Sequence, residues 1–250
     1  MMKNKLPKLL QDVLDNNTFD VDIITKKLKL PWLKLNIKFD PPTNSDLEKL
    51  YTTDDWRKLW KFEDYSKNAY QIKQWNGKLM FGPKDFPRFL EESSKFSNYV
   101  ADQDSKCKFY REKFTYGWYI DESHYIRSQI SKIIPDNDLN IVNTYILPPE
   151  GYLFPHKDYP INDIGLAKIY VALKWKEGNV FGMYGCGNLP IEEGDVFLIN
   201  NYTLPHWVYN GSKENRIVID IGANLNSKVI SKKIIEAFKN SLLTNNKNSL

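Results

Sequence analysis

Between Ile141 and Gly222 the chain breaks into short β-branched and aromatic runs, each ended by a turn dipeptide. No other feature constrains the fold as strongly. The pattern predicts strands at 141–147, 151–157, 167–175, 179–184, 195–200, 206–210 and 215–221, punctuated by Gly178-Asn179, Gly194-Asp195 and Asn210-Gly211. Many short strands at this interval make a sandwich or a barrel. With 42% hydrophobic residues in 250, the chain can bury one sizeable core.

The first 140 residues mix helix and strand signals. Leu6, Leu9, Leu10, Val13 and Leu14 recur at helical spacing, whereas Leu33, Leu35, Ile37 and Phe39 alternate with polar residues as in a half-buried strand. Ser45 and Glu48 have capping-box spacing ahead of a helix with Leu47, Leu50 and Tyr51; Trp56, Leu59 and Trp60 mark a second helical piece. Asn76-Gly77 between YQIKQW and KLMF predicts a hairpin. Phe86, Phe89, Leu90 and Phe96 mark another helix, and Asp121 is placed to cap the helix ESHYIRSQISKII, which carries His124 as a structural residue. After the strands, Ile230, Ile234, Ile235, Phe238 and Leu242 form the apolar face of a terminal helix, and TNNKNSL reads as a disordered tail. The expected organisation is one structural domain in three parts: an elaboration over 1–140 packed on the core, a β core over 141–225, and a helix and tail over 226–250.

Charge and cysteine content narrow the function classes. Thirty-five basic and 31 acidic residues leave a net charge of +4, too weak for a nucleic-acid surface. Two cysteines, Cys107 and Cys186, make a disulfide framework unexpected. Asp12 and Asp15 interrupt any leader-like apolar run, and no window approaches a membrane span, so the expected setting is cytoplasmic, with no nucleic-acid or membrane partner.

Two of the three histidines, His156 and His206, fall at strand–loop junctions of the β region. His156 and Asp158 share one side of an extended chain, and His206 brings a second imidazole. Two nitrogens and one oxygen with open positions remaining suit non-haem Fe(II). Arg216 lies on the strand NRIVIDI, which is apolar enough to be covered on both sides, so its guanidinium calls for an anion, and its planar fork fits a carboxylate. Asn143 and Tyr145 share one face of the preceding strand and are candidates to line the same cavity. Gly185-Cys186-Gly187-Asn188 reads as a flexible loop, while Trp118, Tyr119 and Trp175 read as core.

His156-x-Asp158, His206 and Arg216, with the wording PPEGYLFPHKDYP, AKIYVALKW and LPHWVYNGSKENRIVIDIG, resemble the 2-oxoglutarate- and Fe(II)-dependent oxygenases. Within these, the aspartyl/asparaginyl β-hydroxylase-like branch is the most similar. The resemblance covers Ile141 to Gly222 and implies a mainly β fold with flanking helices around a double-stranded β-helix (jelly-roll, cupin-like) core. It also implies that His156, Asp158 and His206 ligate Fe(II) and that Arg216 binds the distal carboxylate of 2-oxoglutarate. Lys168 and Tyr170 stand where that branch has an Arg-x-His pair on the co-substrate; Lys keeps the charge but lacks the bidentate fork.

The implied reaction is a dioxygenase hydroxylation of an unactivated C–H bond with O2, giving succinate and CO2. Its expected substrate is a free or peptidyl amino acid, of the Asp/Asn type or similar. Two alternatives stay open: a cupin-like metalloenzyme that does not use 2-oxoglutarate, and a non-catalytic jelly-roll binding module.

Overall fold

The computed structural model describes residues 19–52, 71–72, 76–85, 88, 91, 113–158 and 167–247. Its strands in chain order are β1 (Trp32–Lys38), β2 (Gln71–Ile72), β3 (Asn76–Pro83), β4 (Tyr116–Trp118), β5 (Leu139–Leu147), β6 (Tyr152–His156), β7 (Lys168–Lys174), β8 (Asn179–Met183), β9 (Gly187–Asn188), β10 (Asp195–Ile199), β11 (His206–Asn210) and β12 (Arg216–Ala223). They form two antiparallel sheets. The larger runs β1-β10-β7-β12-β5-β3-β4, the smaller β2-β6-β11-β8-β9. From β5 onward the chain crosses repeatedly between the sheets, with β5, β7, β10 and β12 in the larger and β6, β8, β9 and β11 in the smaller. This winding is a double-stranded β-helix, or jelly roll.

Strand alternation divides the apolar residues into two cores. On β12, Ile217, Ile219 and Ile221 point outward from the larger sheet, each at most 1% exposed. Burial of each contributes roughly 1.5–3 kcal/mol. They meet a helical layer: Ile126 and Ile130 of α2 (Tyr125–Ser131), and Ile230, Ile234 and Phe238 of α3 (Lys228–Lys247). The other face of the larger sheet packs on the smaller through Tyr170, Phe181, Met183, Phe197, Ile199, Val208 and Val218. Both faces of β5, β7 and β12 are thus covered, as expected of such continuous apolar runs.

Several local expectations resolve differently. Asn76 and Gly77 are no hairpin turn; they belong to β3 and pair with Ile146 and Tyr145, while β2 joins the other sheet opposite β6. In α1 (Asn44–Thr52) the capping box is Thr43 with Asp46: Thr43 Oγ1 accepts the Asp46 N–H at 3.2 Å, and Asp46 accepts the Thr43 N–H at 2.9 Å. The cap of α2 is His124, whose Nδ1 accepts the Ile126 N–H at 3.2 Å; Asp121 contributes only its carbonyl, to the His124 N–H. The flexible loop expected at 185–188 contains β9, and glycines at φ +80° and +73° (Gly185 and Gly187) turn the chain there. Helix α3 continues to Lys247, into the expected tail. The helices expected around Leu6–Leu14, Trp56–Trp60 and Phe86–Phe96, and Cys107, lie wholly or largely outside the described residues. Among the described residues no helix is long and apolar enough to cross a membrane.

Candidate metal centre

His206 opens β11 directly opposite His156, the last residue of β6. On a regular strand His156, three positions after Leu153, would face the other way. Val208 pairs with Leu153 and His206 with His156, so β6 carries one extra residue at Phe154-Pro155, and this bulge turns both side chains inward. Asp158 is not on the strand, contrary to the reading of His156 and Asp158 as neighbours on one side of it. It arrives from the loop that follows, held where its N–H donates to the Asn201 carbonyl at 3.2 Å.

The result is a tight cluster. Oδ1 of Asp158 lies 3.4 Å from Nε2 of His156 and 3.7 Å from Nε2 of His206, and the two imidazole rings are 4.3 Å apart. One ligand atom from each of the three residues falls within 4.8 Å of the others, the spacing of a group that could hold a metal ion. Adjacent ligands of an octahedral ion at about 2.1 Å stand about 3.0 Å apart, so each distance from Asp158 to an imidazole needs to close by less than an ångström. Nδ1 of His156 donates to the Phe154 carbonyl at 2.7 Å, which leaves the Nε2 lone pair directed at the cluster. Phe181 stacks on the His206 ring at 5.5 Å and 5°. Nδ1 of His206 is buried without a well-formed hydrogen bond, although the Leu204 carbonyl still acts on the ring.

Electrostatics favour the ligand forms of His206 and Asp158. Burial pushes His206 down to about 4, against the pull of Asp158, so its imidazole is neutral at neutral pH. Burial works the same way on His156, but its hydrogen bond to Asp158 and the Phe154 carbonyl outweigh it and raise the pKa. Burial disfavours the Asp158 carboxylate, yet Lys168, His156 and His206 together hold it well below the usual range. The donor set fits a divalent transition ion, which would take the place of the proton that Asp158 favours on His156.

Of the other sequence-predicted residues, Tyr170 and Arg216 meet. The Arg216 guanidinium, in a residue 3% exposed, donates from Nη2 to the Tyr170 hydroxyl and lies 4.8 Å over the Trp175 ring. Its Nε is buried without a partner, and it makes no ion pair within 4 Å among the described residues. Burial raises the Tyr170 pKa and lowers that of Arg216. Asn143 lies opposite Asp220 across β5–β12, with its Oδ1 buried and unpartnered; Tyr145 is half-buried against the inner core. Lys168 does not join Arg216. Its Nζ lies 2.7 Å from Asp158 Oδ2 and 3.3 Å from Asp220 Oδ2.

Three residues that matter here gave no sequence signal of their own. Asn201 donates from Nδ2 to Asp158 Oδ2 at 2.5 Å. Asp220 supplies the second carboxylate to Lys168, and burial raises its pKa against that cation. Asn210, read only as half of a turn, donates to the Leu147 and Glu214 carbonyls at 2.8 Å each and accepts from Ser212, which fixes how β12 and Arg216 follow β11.

No protein-family model matches the chain, and no curated protein does. Among solved structures, a prolyl-4-hydroxylase from Pseudomonas putida aligns at 13% identity over 86% of this chain and 98% of its own, with a TM-score of 0.37. The viral collagen prolyl hydroxylase of Paramecium bursaria Chlorella virus-1, solved with 2-oxoglutarate, aligns at 12% over 76% and 94%, with a TM-score of 0.36. A predicted oxalate decarboxylase from Thermotoga maritima aligns at 24% over 35% and 69%, with a TM-score of 0.27. Likeness at this level does not bear on activity, which rests on the site itself.

Proposed function

We propose that this chain is an Fe(II)- and 2-oxoglutarate-dependent oxygenase that hydroxylates an unactivated C–H bond of an amino acid, free or within a peptide. One observation carries the reading: a three-atom metal cradle and a buried guanidinium without a carboxylate partner among the described residues share the inner face of one jelly roll.

Charge balance supports the co-substrate. Among the described groups of this face, the carboxylates of Asp158 and Asp220 offset the cations of Lys168 and Arg216, and the imidazoles of His156 and His206 count as neutral once each gives its Nε2 lone pair to a metal. A divalent ion leaves the site two units positive, and a dicarboxylate restores neutrality. In a buried site such compensation is worth several kcal/mol.

The chain's own residues have distinct tasks. His156, Asp158 and His206 hold the metal; Arg216, steadied by Tyr170 and Trp175, receives the distal carboxylate of 2-oxoglutarate. Asn143 and Tyr145 line the space between, and the apolar residues of the two sheets exclude water. Bound Fe(II), with O2 and 2-oxoglutarate, supplies the oxidising chemistry; the protein supplies alignment and a dry pocket.

The test is succinate formation from 2-oxoglutarate by the protein loaded with Fe(II) in air, compared with Arg216→Ala. Loss of a buried charge partner costs about 2–5 kcal/mol, so the variant should lose at least about 30-fold in apparent 2-oxoglutarate affinity. Turnover that does not depend on Arg216 would favour a cupin-like metalloenzyme that does not use 2-oxoglutarate. Absence of stoichiometric metal binding would favour a binding module.

A further inference from the structure

The resemblance places Lys168 beside a co-substrate, but its ammonium lies between two carboxylates of the chain itself. It donates to Oδ2 of Asp158 at 2.7 Å and to Oδ2 of Asp220 at 3.3 Å, with the side chain 8% exposed. Asn201 reaches the same Oδ2 with its side-chain amide at 2.5 Å, while its carbonyl takes the Asp158 N–H at 3.2 Å. The loop that carries Asn201 is itself pinned, since the Asn200 N–H donates to the Pro31 carbonyl at 2.9 Å and Asn200 Nδ2 to the Thr25 carbonyl at 3.4 Å.

The two oxygens of Asp158 are therefore not equivalent. Oδ2 is held by a buried cation and an amide, while Oδ1 faces the two imidazole Nε2 atoms at 3.4 and 3.7 Å. Rotating the carboxylate, or drawing both oxygens onto one ion, breaks charge-assisted hydrogen bonds that geometry this short makes strong. We propose that Lys168 and Asn201 are positioning residues for Asp158. They hold Oδ2 so that the acid meets a divalent cation through Oδ1 alone, and Lys168 is not a ligand of the co-substrate. Asp220 completes the device: it shares the ammonium, so the clamp adds no net charge beside the metal. This inference rests on the metal reading above and goes beyond it.

The test is Mn(II) binding to the full chain, followed by loss of the free-ion electron paramagnetic resonance signal. It is paired with 2-oxoglutarate binding to the Mn(II)-saturated protein. Lys168→Met/Asp220→Asn removes one charge of each sign, and Asn201→Ala removes none, so neither gains or loses affinity merely through net charge. Each should weaken Mn(II) binding about 10–100-fold, the usual effect of losing an outer hydrogen-bond partner of a ligand. The triple variant should lose less than the product of the two, because both act through Oδ2. Lys168→Arg, which keeps a cation between the carboxylates, should recover most of the affinity. Once Mn(II) is saturating, 2-oxoglutarate binding should stay within about twofold of wild type.

Mn(II) affinity at the wild-type level in both variants overturns the proposal, as does a loss confined to 2-oxoglutarate binding. Asn201→Ala carries the test where the double variant does not fold. A wild-type chain that binds no Mn(II) overturns the metal reading and this inference with it, an outcome distinct from normal binding by both variants.

Discussion

The two ends of the inner face hold charge under opposite conditions. Around Asp158 every charged group has a counterpart: Lys168 sits between Asp158 and Asp220, and Asn201 satisfies the remaining side of Oδ2. Around Arg216 the cation has a phenol and an indole but no carboxylate among the described residues, and its Nε is unpartnered. One end is complete in the protein alone and offers a single oxygen and two nitrogens outward. The other is incomplete until an anion arrives. A folded chain tolerates the second condition when the missing partner is a ligand, because an unpaired buried cation costs stability.

That contrast predicts stability changes of opposite sign in the metal-free protein. Lys168→Met leaves two partly buried carboxylates, 20% and 15% exposed, without their buried cation and should lower unfolding stability by about 3 kcal/mol, as read by urea denaturation. Arg216→Met removes a buried charge that has no ionic partner among the described residues and should leave stability unchanged or raise it by about 1–4 kcal/mol, while it weakens 2-oxoglutarate binding. Equal shifts in one direction would erase the distinction between the two ends.

A smaller effect probes the scaffold beneath the metal end. A Cβ at Gly182 would sit 1.9 Å from the Trp207 indole, which lies across it on the outer face of the smaller sheet. Gly182→Ala should therefore cost about 1–3 kcal/mol through overpacking. By displacing the residue next to His206 it should also weaken Mn(II) binding while leaving the Arg216 end alone. The smallest effect is a control. His124→Ala loses the cap of α2, worth about 1 kcal/mol, and should change neither metal nor co-substrate affinity.

What was legible in the sequence follows from the range over which the signal acts. The strands from β5 to β12, β9 apart, were readable because alternation and turn residues are local, and β12 shows it: three isoleucines on one face, Arg216 and Val218 on the other. His156 and Asp158 stood out as a pair, although the reason they converge is a bulge and a held loop rather than a continuous strand. The contact between Asn201 and Asp158 spans 43 positions and that between Lys168 and Asp220 spans 52, and no periodicity encodes either. Asn76-Gly77 misled because its turn chemistry is local, whereas the pairing of β3 with β5 that overrides it is not. Strand β9, at two residues, is too short to carry a pattern.

The most direct measurement is an anaerobic crystal structure with Mn(II) and 2-oxoglutarate. The account predicts one anomalous peak about 2.1 Å from Nε2 of His156, Nε2 of His206 and Oδ1 of Asp158. It also predicts a carboxylate of 2-oxoglutarate paired with Arg216, and Lys168 still on Oδ2 of Asp158. A peak elsewhere, or a co-substrate whose carboxylates bypass Arg216, would contradict it.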